Sequence, residues 1–399
     1  MRVLLSSYQC MPNQGSELGN GWHWARALTD HGHEVTVLTQ PSHIIDAAAP
    51  DDIRFLHAAV PPSPLDRAAG LTGPGEHYRH YLRWQDAALA FVLAGKESYD
   101  VTHHVSWGSL HLGSQLWRAP APLVFGPIGG GQTAPSAYRH YFGRWWPLEW
   151  ARTTVTRSLM SLNSRSRKTV RGASVTLVTN SATAEAARQL GATDVRPFLA
   201  EGLPASWVVP PRQVPDGLPV VLWVGRMMPR KAPLLALESF ARLRATMPAR
   251  FVMAGDGPLL DRVRGDVERL GLHMDVELLG RVPWTEITEL YDSSSVFLFT
   301  SLRDSSGSQF LEALGRGLPA VALDLHGVGD LDVGPAAVKV PLPAQPDELP
   351  TRVGDALRDI LTDGSWPERS AAGVSWASAH TWPAKAAAVT EIYDDVLAV

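Results

Sequence analysis

Short apolar runs recur along the chain at residues 3–6, 35–38, 101–103, 123–125 and 175–178, separated by polar or amphipathic stretches such as 21–31. Short runs of this kind, three or four residues each, read as buried strands, and their alternation with helical patterns predicts a parallel α/β architecture. A second series follows at 220–224, 250–253, 276–279, 296–300 and 320–323, with a helical run over 233–246 after its first member. The pattern therefore predicts two Rossmann-like halves.

Between the two series, Pro204, Pro210, Pro211, Pro215 and Pro219 forbid a regular element, so 203–219 reads as the connection. A second proline-rich stretch, 340–350, precedes helical sequence at 347–361 and 382–397. The expected boundaries are an N-terminal acceptor-side domain over 1–205, a C-terminal donor-nucleotide domain over 217–375, and a closing helix over 376–399. The length agrees, since 399 residues exceed the roughly 250 at which a single core stops growing.

Composition narrows the function. A net charge of -4 gives no basic footprint for nucleic acid. Cys10 is the only cysteine, which removes disulfides and cysteine-based metal sites. No run approaches the roughly 20 apolar residues of a membrane span, so a cytoplasmic protein is expected. Residues 138–171 carry eight Lys and Arg against one acid, Glu149, with Trp145, Trp146 and Trp150 interleaved. That segment reads either as a solvated helix with buried tryptophans or as a peripheral contact with the inner face of an anionic membrane.

The candidate chemistry sits just after strands. The run 220–224 leads into Gly225-Arg226-Met227-Met228-Pro229-Arg230-Lys231, and Pro233 opens a helix. Arg226 and Lys231 before a helix N-terminus form a cationic pocket suited to a diphosphate, although a solvated loop accounts for the same residues. Gly255 lies in Ala254-Gly255-Asp256-Gly257-Pro258, whose glycines let the backbone turn tightly and approach a ligand, although a plain turn accounts for them as well. After 296–300 come Asp304, Ser305, Ser306, Gly307, Ser308 and Glu312, with Ser305 and Ser306 as expected caps and Gly317 as terminator. Eight residues turn through about 80° beyond two circles, so Asp304 and Glu312 share a side. One carboxylate suits ribose hydroxyls, the other the hydroxyls of a sugar, and the N–H groups of Ser306, Gly307 and Ser308 suit phosphate. On spacing alone, a capped surface helix explains the pair as well. Asp330 and Asp332 have the spacing of a metal-binding Asp-x-Asp but lie in a glycine-rich loop and read as a turn.

The order VGR-x4-K, AGDGP, LLGRVPWTEITELYDSSSVFLFTS, then D-x7-E before ALGRGLPAVA resembles the retaining glycosyltransferases of family 4. That family has the GT-B fold, two Rossmann-like domains facing across a cleft with a C-terminal helix returning to the N-domain. The likeness is dense over 220–324 and weaker in MRVLLSS, GSELGNGWHWARAL, EVTVLT, DVTHHVSWG and PLVFGPIGGG. It implies that Arg226 and Lys231 neutralise the donor diphosphate, Glu312 holds the ribose, and Asp304 with the backbone near Gly307 holds the donor sugar. It also places Gly15, Gly225, Gly255, Arg281 and Val282 around the nucleotide and phosphates, and His103 or His104 beside the transferred sugar.

Three departures stand out. Asp304 occupies the usual glutamate position, Ala232 follows Lys231 where glycine is usual, and Gly129, Gly130 and Gly131 replace a histidine-containing loop and read as a mobile acceptor loop. The implied reaction retains anomeric configuration, needs no metal or other cofactor, and moves a sugar from a UDP- or GDP-sugar to a small hydroxylated acceptor such as a secondary metabolite or envelope glycan precursor. A nucleotide-sugar epimerase and a silent carbohydrate-binding homologue are the alternatives.

Overall fold

The computed structural model describes residues 1–12, 14, 16–42, 45, 48–60, 74–160 and 162–398. Seven strands form the first sheet: β1 (Arg2–Ser7), β2 (Glu34–Thr39), β3 (Arg54–His57), β4 (Val101–Ser106), β5 (Leu123–Ile128), β6 (Val175–Val178) and β7 (Val195–Pro197). Six form the second: β8 (Val220–Val224), β9 (Arg250–Ala254), β10 (Val276–Gly280), β11 (Val296–Phe299), β12 (Ala320–Leu323) and β13 (Ala337–Val340). The helices, in chain order, are α1 (Ser16–Asp30), α2 (Pro74–Ala94), α3 (Trp146–Met160), α4 (Ser164–Gly172), α5 (Ser181–Leu190), α6 (Pro233–Arg244), α7 (Leu260–Arg269), α8 (Ile287–Ser293), α9 (Ser308–Gly315), α10 (His326–Gly329), α11 (Leu349–Thr362), α12 (Trp366–Ser378) and α13 (Trp382–Leu397). Short 3-10 turns fill several connections.

Every strand pair is parallel, in the orders β3-β2-β1-β4-β5-β6-β7 and β10-β9-β8-β11-β12-β13. The strands inside the sheets are the most buried: β4, β5, β11 and β12 are buried along their whole length, β4 even though it reads VTHHVS. Three strands that hydrophobic pattern does not announce, β3, β7 and β13, are all at edges and only partly buried. Their one-sided burial explains the weak signal. Each order reverses between two central strands, β1 and β4 in the first sheet and β8 and β11 in the second. The carboxyl ends at such reversals are where doubly wound sheets bind ligands.

The chain folds as two compact units. The first comprises Met1–Gly131, Val155–Glu201 and Trp382–Val399; the second comprises Gln132–Thr154 and Gly202–Thr381. As expected, the closing helix α13 belongs with the N-terminal sheet: Trp382, Val389 and Tyr393 share a core with Val3, Leu5, Trp24 and Val35. Its Thr390 hydroxyl lies 2.7 Å from His33 Nε2.

Residues 132–154 differ from the expected 1–205 boundary, because they pack in the second unit. Tyr138, Tyr141 and Phe142 are buried in the core that contains Leu235, Phe240 and Val321. The Tyr141 hydroxyl donates to Glu238 (2.6 Å) and the Tyr138 hydroxyl to the Pro343 carbonyl (3.3 Å). No helix among the described residues is long and apolar enough to cross a membrane.

Candidate active site

The loops after β8, β9 and β10 are stitched together by backbone bonds. Gly225 N–H donates to Ala254 O (3.0 Å), Gly255 N–H to Gly280 O (2.7 Å) and Met227 N–H to Asp256 O (2.9 Å). Gly255 has φ of 146°, and a Cβ there would stand 1.8 Å from the Gly225 carbonyl oxygen. The AGDGP turn therefore exists to let one loop lie against the next, with no side chain between them. Arg226 projects from this scaffold, exposed and without an ion pair or side-chain hydrogen bond among the described residues. Arg281 is exposed beyond Gly280, while Val282 packs partly against the core.

Lys231 is held differently. It is 7% exposed, and its ammonium donates to Asp304 Oδ2 and, at 3.3 Å, to Gln309 Oε1. The Phe299 ring lies beneath it at 5.2 Å. An ammonium has three donors, so two fixed acceptors leave one N–H for a ligand. Ala232 takes the left-handed φ of 47° that glycine would adopt more readily, and Thr300 Oγ1 donates toward the carbonyls of Lys231 and Ala232. Those carbonyl contacts help fix the strained residue.

Asp304 also accepts from Ser301 Oγ (3.2 Å) and the Ser305 N–H (3.1 Å), with Arg230 Nη1 at 3.6 Å. Burial alone raises its pKa, but the charges of Lys231 and Arg230 outweigh it and hold the carboxyl below its ordinary value. It is an anion that orients a lysine.

The helix after it begins later than the serines suggest. Gly307, at φ 77°, is the cap, and a Cβ there would come within 2.8 Å of Val328 Cγ2. Left-handed geometry and close packing thus displace the expected Ser305 and Ser306 caps by one or two residues. Phe310 N–H bonds back to Gly307, leaving the N–H groups of Ser308 and Gln309 without a partner among the described residues. The α10 loop braces this entrance: a Cβ on Gly327 would meet the Ser305 carbonyl at 2.1 Å.

On the buried side of α9, Glu312 accepts from the Tyr291 hydroxyl (2.8 Å) and from Trp284 Nε1 (3.3 Å). Burial, reinforced by the Glu312 charge, raises the Tyr291 pKa well above its ordinary value, so Tyr291 stays a donor. Trp284 stacks on Trp207 with centroids 4.5 Å apart. Tyr291, Trp284 and Gln309 were not foreseen as site residues; Tyr291 and Trp284 do lie within the LLGRVPWTEITELYDSSS stretch that carries the family likeness.

His103 and His104 stand elsewhere. β4 extends to Ser106, and both side chains are fully buried within it. His103 lies between the Tyr393 hydroxyl (2.6 Å) and the Gly126 carbonyl (2.8 Å), and His104 between Ser6 Oγ (3.0 Å) and the Tyr81 hydroxyl (3.1 Å). Burial lowers their pKa values to about 4 and about 3. Both are neutral core histidines with both ring nitrogens engaged, and neither is carried further as a contact to a transferred sugar.

The glycine run after β5 is also fixed rather than mobile. Gly129 N–H donates to Gly108 O (2.9 Å), Gly129 O accepts from Leu110 N–H (2.9 Å), His111 Nε2 reaches Gly130 O (2.8 Å) and Gly131 N–H reaches Thr183 Oγ1 (3.1 Å). Gly15 lies outside the described residues.

Residues 210–333 match the model of the family described as glycosyl transferases group 1. The two parallel sheets carry the GT-B fold. Over its whole length the chain superimposes on sucrose-phosphate synthase from Thermosynechococcus elongatus, with a TM-score of 0.67 at 18% identity, covering 100% of this chain and 99% of that one. It likewise superimposes on the Anabaena protein HepE in complex with UDP and glucose, with a TM-score of 0.61 at 14% identity over 98% of this chain and 99% of that one. Among curated proteins it is similar to D-inositol 3-phosphate glycosyltransferase of Corynebacterium glutamicum, 27% identical over 46% of this chain and 45% of that protein. It is 32% identical to GDP-mannose-dependent alpha-mannosyltransferase of Mycobacterium tuberculosis over 41% of each. The matched stretch thus spans less than half the length of either curated relative.

Proposed function

We propose that this protein is a retaining glycosyltransferase that moves a sugar from a UDP- or GDP-linked donor to a hydroxyl of a small acceptor, a secondary metabolite or an envelope glycan precursor, without a metal. The observation that carries the reading is Lys231, pinned by Asp304 and Gln309 next to the N–H groups of Ser308 and Gln309 that begin α9. A diphosphate needs both a fixed cation and unpaired backbone donors, and this arrangement supplies them together.

In this reading Glu312 takes the ribose hydroxyls and Asp304 takes hydroxyls of the donor sugar. As the anomeric carbon–oxygen bond breaks, negative charge grows on the leaving diphosphate, where Arg226 and Lys231 neutralise it. The acceptor hydroxyl attacks the same face, and its proton passes to the leaving phosphate oxygen. Of the relatives, the mannosyltransferase is named as GDP-mannose-dependent and HepE is titled with UDP and glucose, which supports a nucleotide-sugar donor of either base.

The test is a thermal-shift panel of UDP- and GDP-sugars with and without a chelator. A ligand at about 100 times its Kd stabilises by about 2.7 kcal/mol, which moves the Tm of a chain this size by roughly 3 °C. At least one donor should do so, equally with chelator present. A panel with no shift overturns the donor assignment, and a shift abolished by chelator overturns the metal-free one.

The segment rich in basic and aromatic residues supports a peripheral membrane contact as part of the same reading. Trp146 packs on the core, but Trp150 is 59% and Leu148 66% exposed, near exposed Arg144. Exposed indole and leucine with a nearby guanidinium suit an anionic interface. The protein should float with anionic vesicles at low salt and Trp150→Glu should not; a wild-type protein that stays at the bottom of the gradient ends the membrane assignment.

A further inference from the structure

The single acid of the 138–171 segment is spent on an unusual task. Glu149 lies in the first turn of α3, where an acid ordinarily faces solvent, yet its side chain is only 8% exposed. Arg303 Nη2 donates to its Oε2 at 3.1 Å with Nε 2.7 Å from Oε1, and Arg152 Nη2 reaches Oε1 at 3.0 Å.

Arg303 immediately precedes Asp304 in the chain. Arg230 joins the two, donating to the Arg303 carbonyl at 3.4 Å and standing 3.6 Å from Asp304 Oδ2. One connected cluster therefore holds the cations Arg152, Arg230, Lys231 and Arg303 and the carboxylates Glu149 and Asp304. If Glu149 were neutral, Asp304 would be the only carboxylate left in it. A partly buried guanidinium that loses its partner seeks another, and Asp304 is the next residue in the chain.

We propose that Glu149 is a positioning residue: it occupies Arg303, so that Asp304 remains the partner of Lys231 and the lysine stays where the donor phosphate meets it. The inference rests on the glycosyltransferase reading for its effect on turnover, but the pairing itself does not. Glu149 reaches this place because residues 132–154 pack in the second unit, which is why sequence proximity to Asp304 gives no hint of it.

Two readouts separate the claims. The pairing and burial of Lys231 should protect its ammonium resonance from exchange in the wild type, and in Glu149→Gln, where the lysine loses its fixed partner, that resonance should broaden into exchange. Turnover should fall by about tenfold, while affinity for UDP or GDP stays equal or rises, since the site gains a positive charge. Removing the competitor as well, in the Glu149→Gln/Arg303→Gln double variant, should restore the resonance and bring turnover back to within about threefold of wild type. Arg303→Gln alone should keep both, and it tests the idea even if Glu149→Gln fails to fold. A merely structural Glu149 predicts a lowered Tm, weaker nucleotide binding and no rescue; that pattern, or an unchanged Lys231 resonance in Glu149→Gln, overturns the proposal. A wild type that transfers no sugar yet shows the resonance changes supports the pairing and rejects the glycosyltransferase reading.

Discussion

Lys231→Ala is expected to lower kcat by about 10²–10³-fold, the range seen when one preorganised stabiliser of developing charge is removed. The loss should lie mainly in kcat, because in the proposed reaction the charge that Lys231 meets grows as the donor bond breaks. Near-normal turnover rejects its role. The same substitution strips Asp304 of its nearest cation and leaves Arg230 at 3.6 Å. Breaking a buried pair by removing one partner costs about 3–5 kcal/mol, so a lowered Tm should accompany the kinetic defect.

The pH dependence has a definite sign. Asp304 titrates below the ordinary 3.8 in the folded protein, so its pairing contributes stability above that pH and loses it as pH falls through the folded value. In Lys231→Ala the largest of the lowering influences is gone and burial raises the pKa. Acid unfolding of the variant should begin at a higher pH than in the wild type.

Glu312→Ala is expected to weaken UDP or GDP binding by about 10–100-fold, since one or two hydrogen bonds to a charged acceptor at about 1.5 kcal/mol each and tenfold per 1.4 kcal/mol give that span. Calorimetry with the free nucleotide measures it. Unchanged affinity removes the ribose assignment. Stability should fall too, because the fully buried Tyr291 hydroxyl loses its acceptor at a cost of about 1–3 kcal/mol. Glu312→Gln retains an acceptor for Tyr291, so it should recover Tm while recovering little nucleotide affinity.

The loops that hold Lys231 and Asp304 were legible in the sequence because they are built from local order. Strand, loop and helix follow one another closely after Val220 and again after Val296, so period locates the loops that carry Lys231 and Asp304, and the family likeness singles out those residues and Glu312. Contacts that span the chain were not legible. His103 meets Tyr393 from 290 residues away and Tyr138 meets Pro343 from 205, and neither pairing leaves a periodic trace. Adjacent histidines therefore invited a chemical reading where the structure gives each a core partner set. The cap at Gly307 was missed for a different reason: Ser305 and Ser306 have the better side chains, but φ and the proximity of Val328 decide the position. Edge strands β3, β7 and β13 lack the two-sided burial that makes a strand readable.

The path of residues 132–154 and of α13 has a consequence for synthesis. The aromatic anchors Tyr138, Tyr141 and Phe142 emerge well before Val220–Val340, the stretch that carries the strands they cover, and Trp382–Leu397 emerges after all of it. A nascent N-terminal half thus carries three unsatisfied rings and lacks its last core helix, so the first unit cannot complete before Leu397 is made, whereas the second has all of its residues once Thr381 is. N-terminal-first folding is closed to this chain, and the unit that lies later in the sequence can finish ahead of the earlier one.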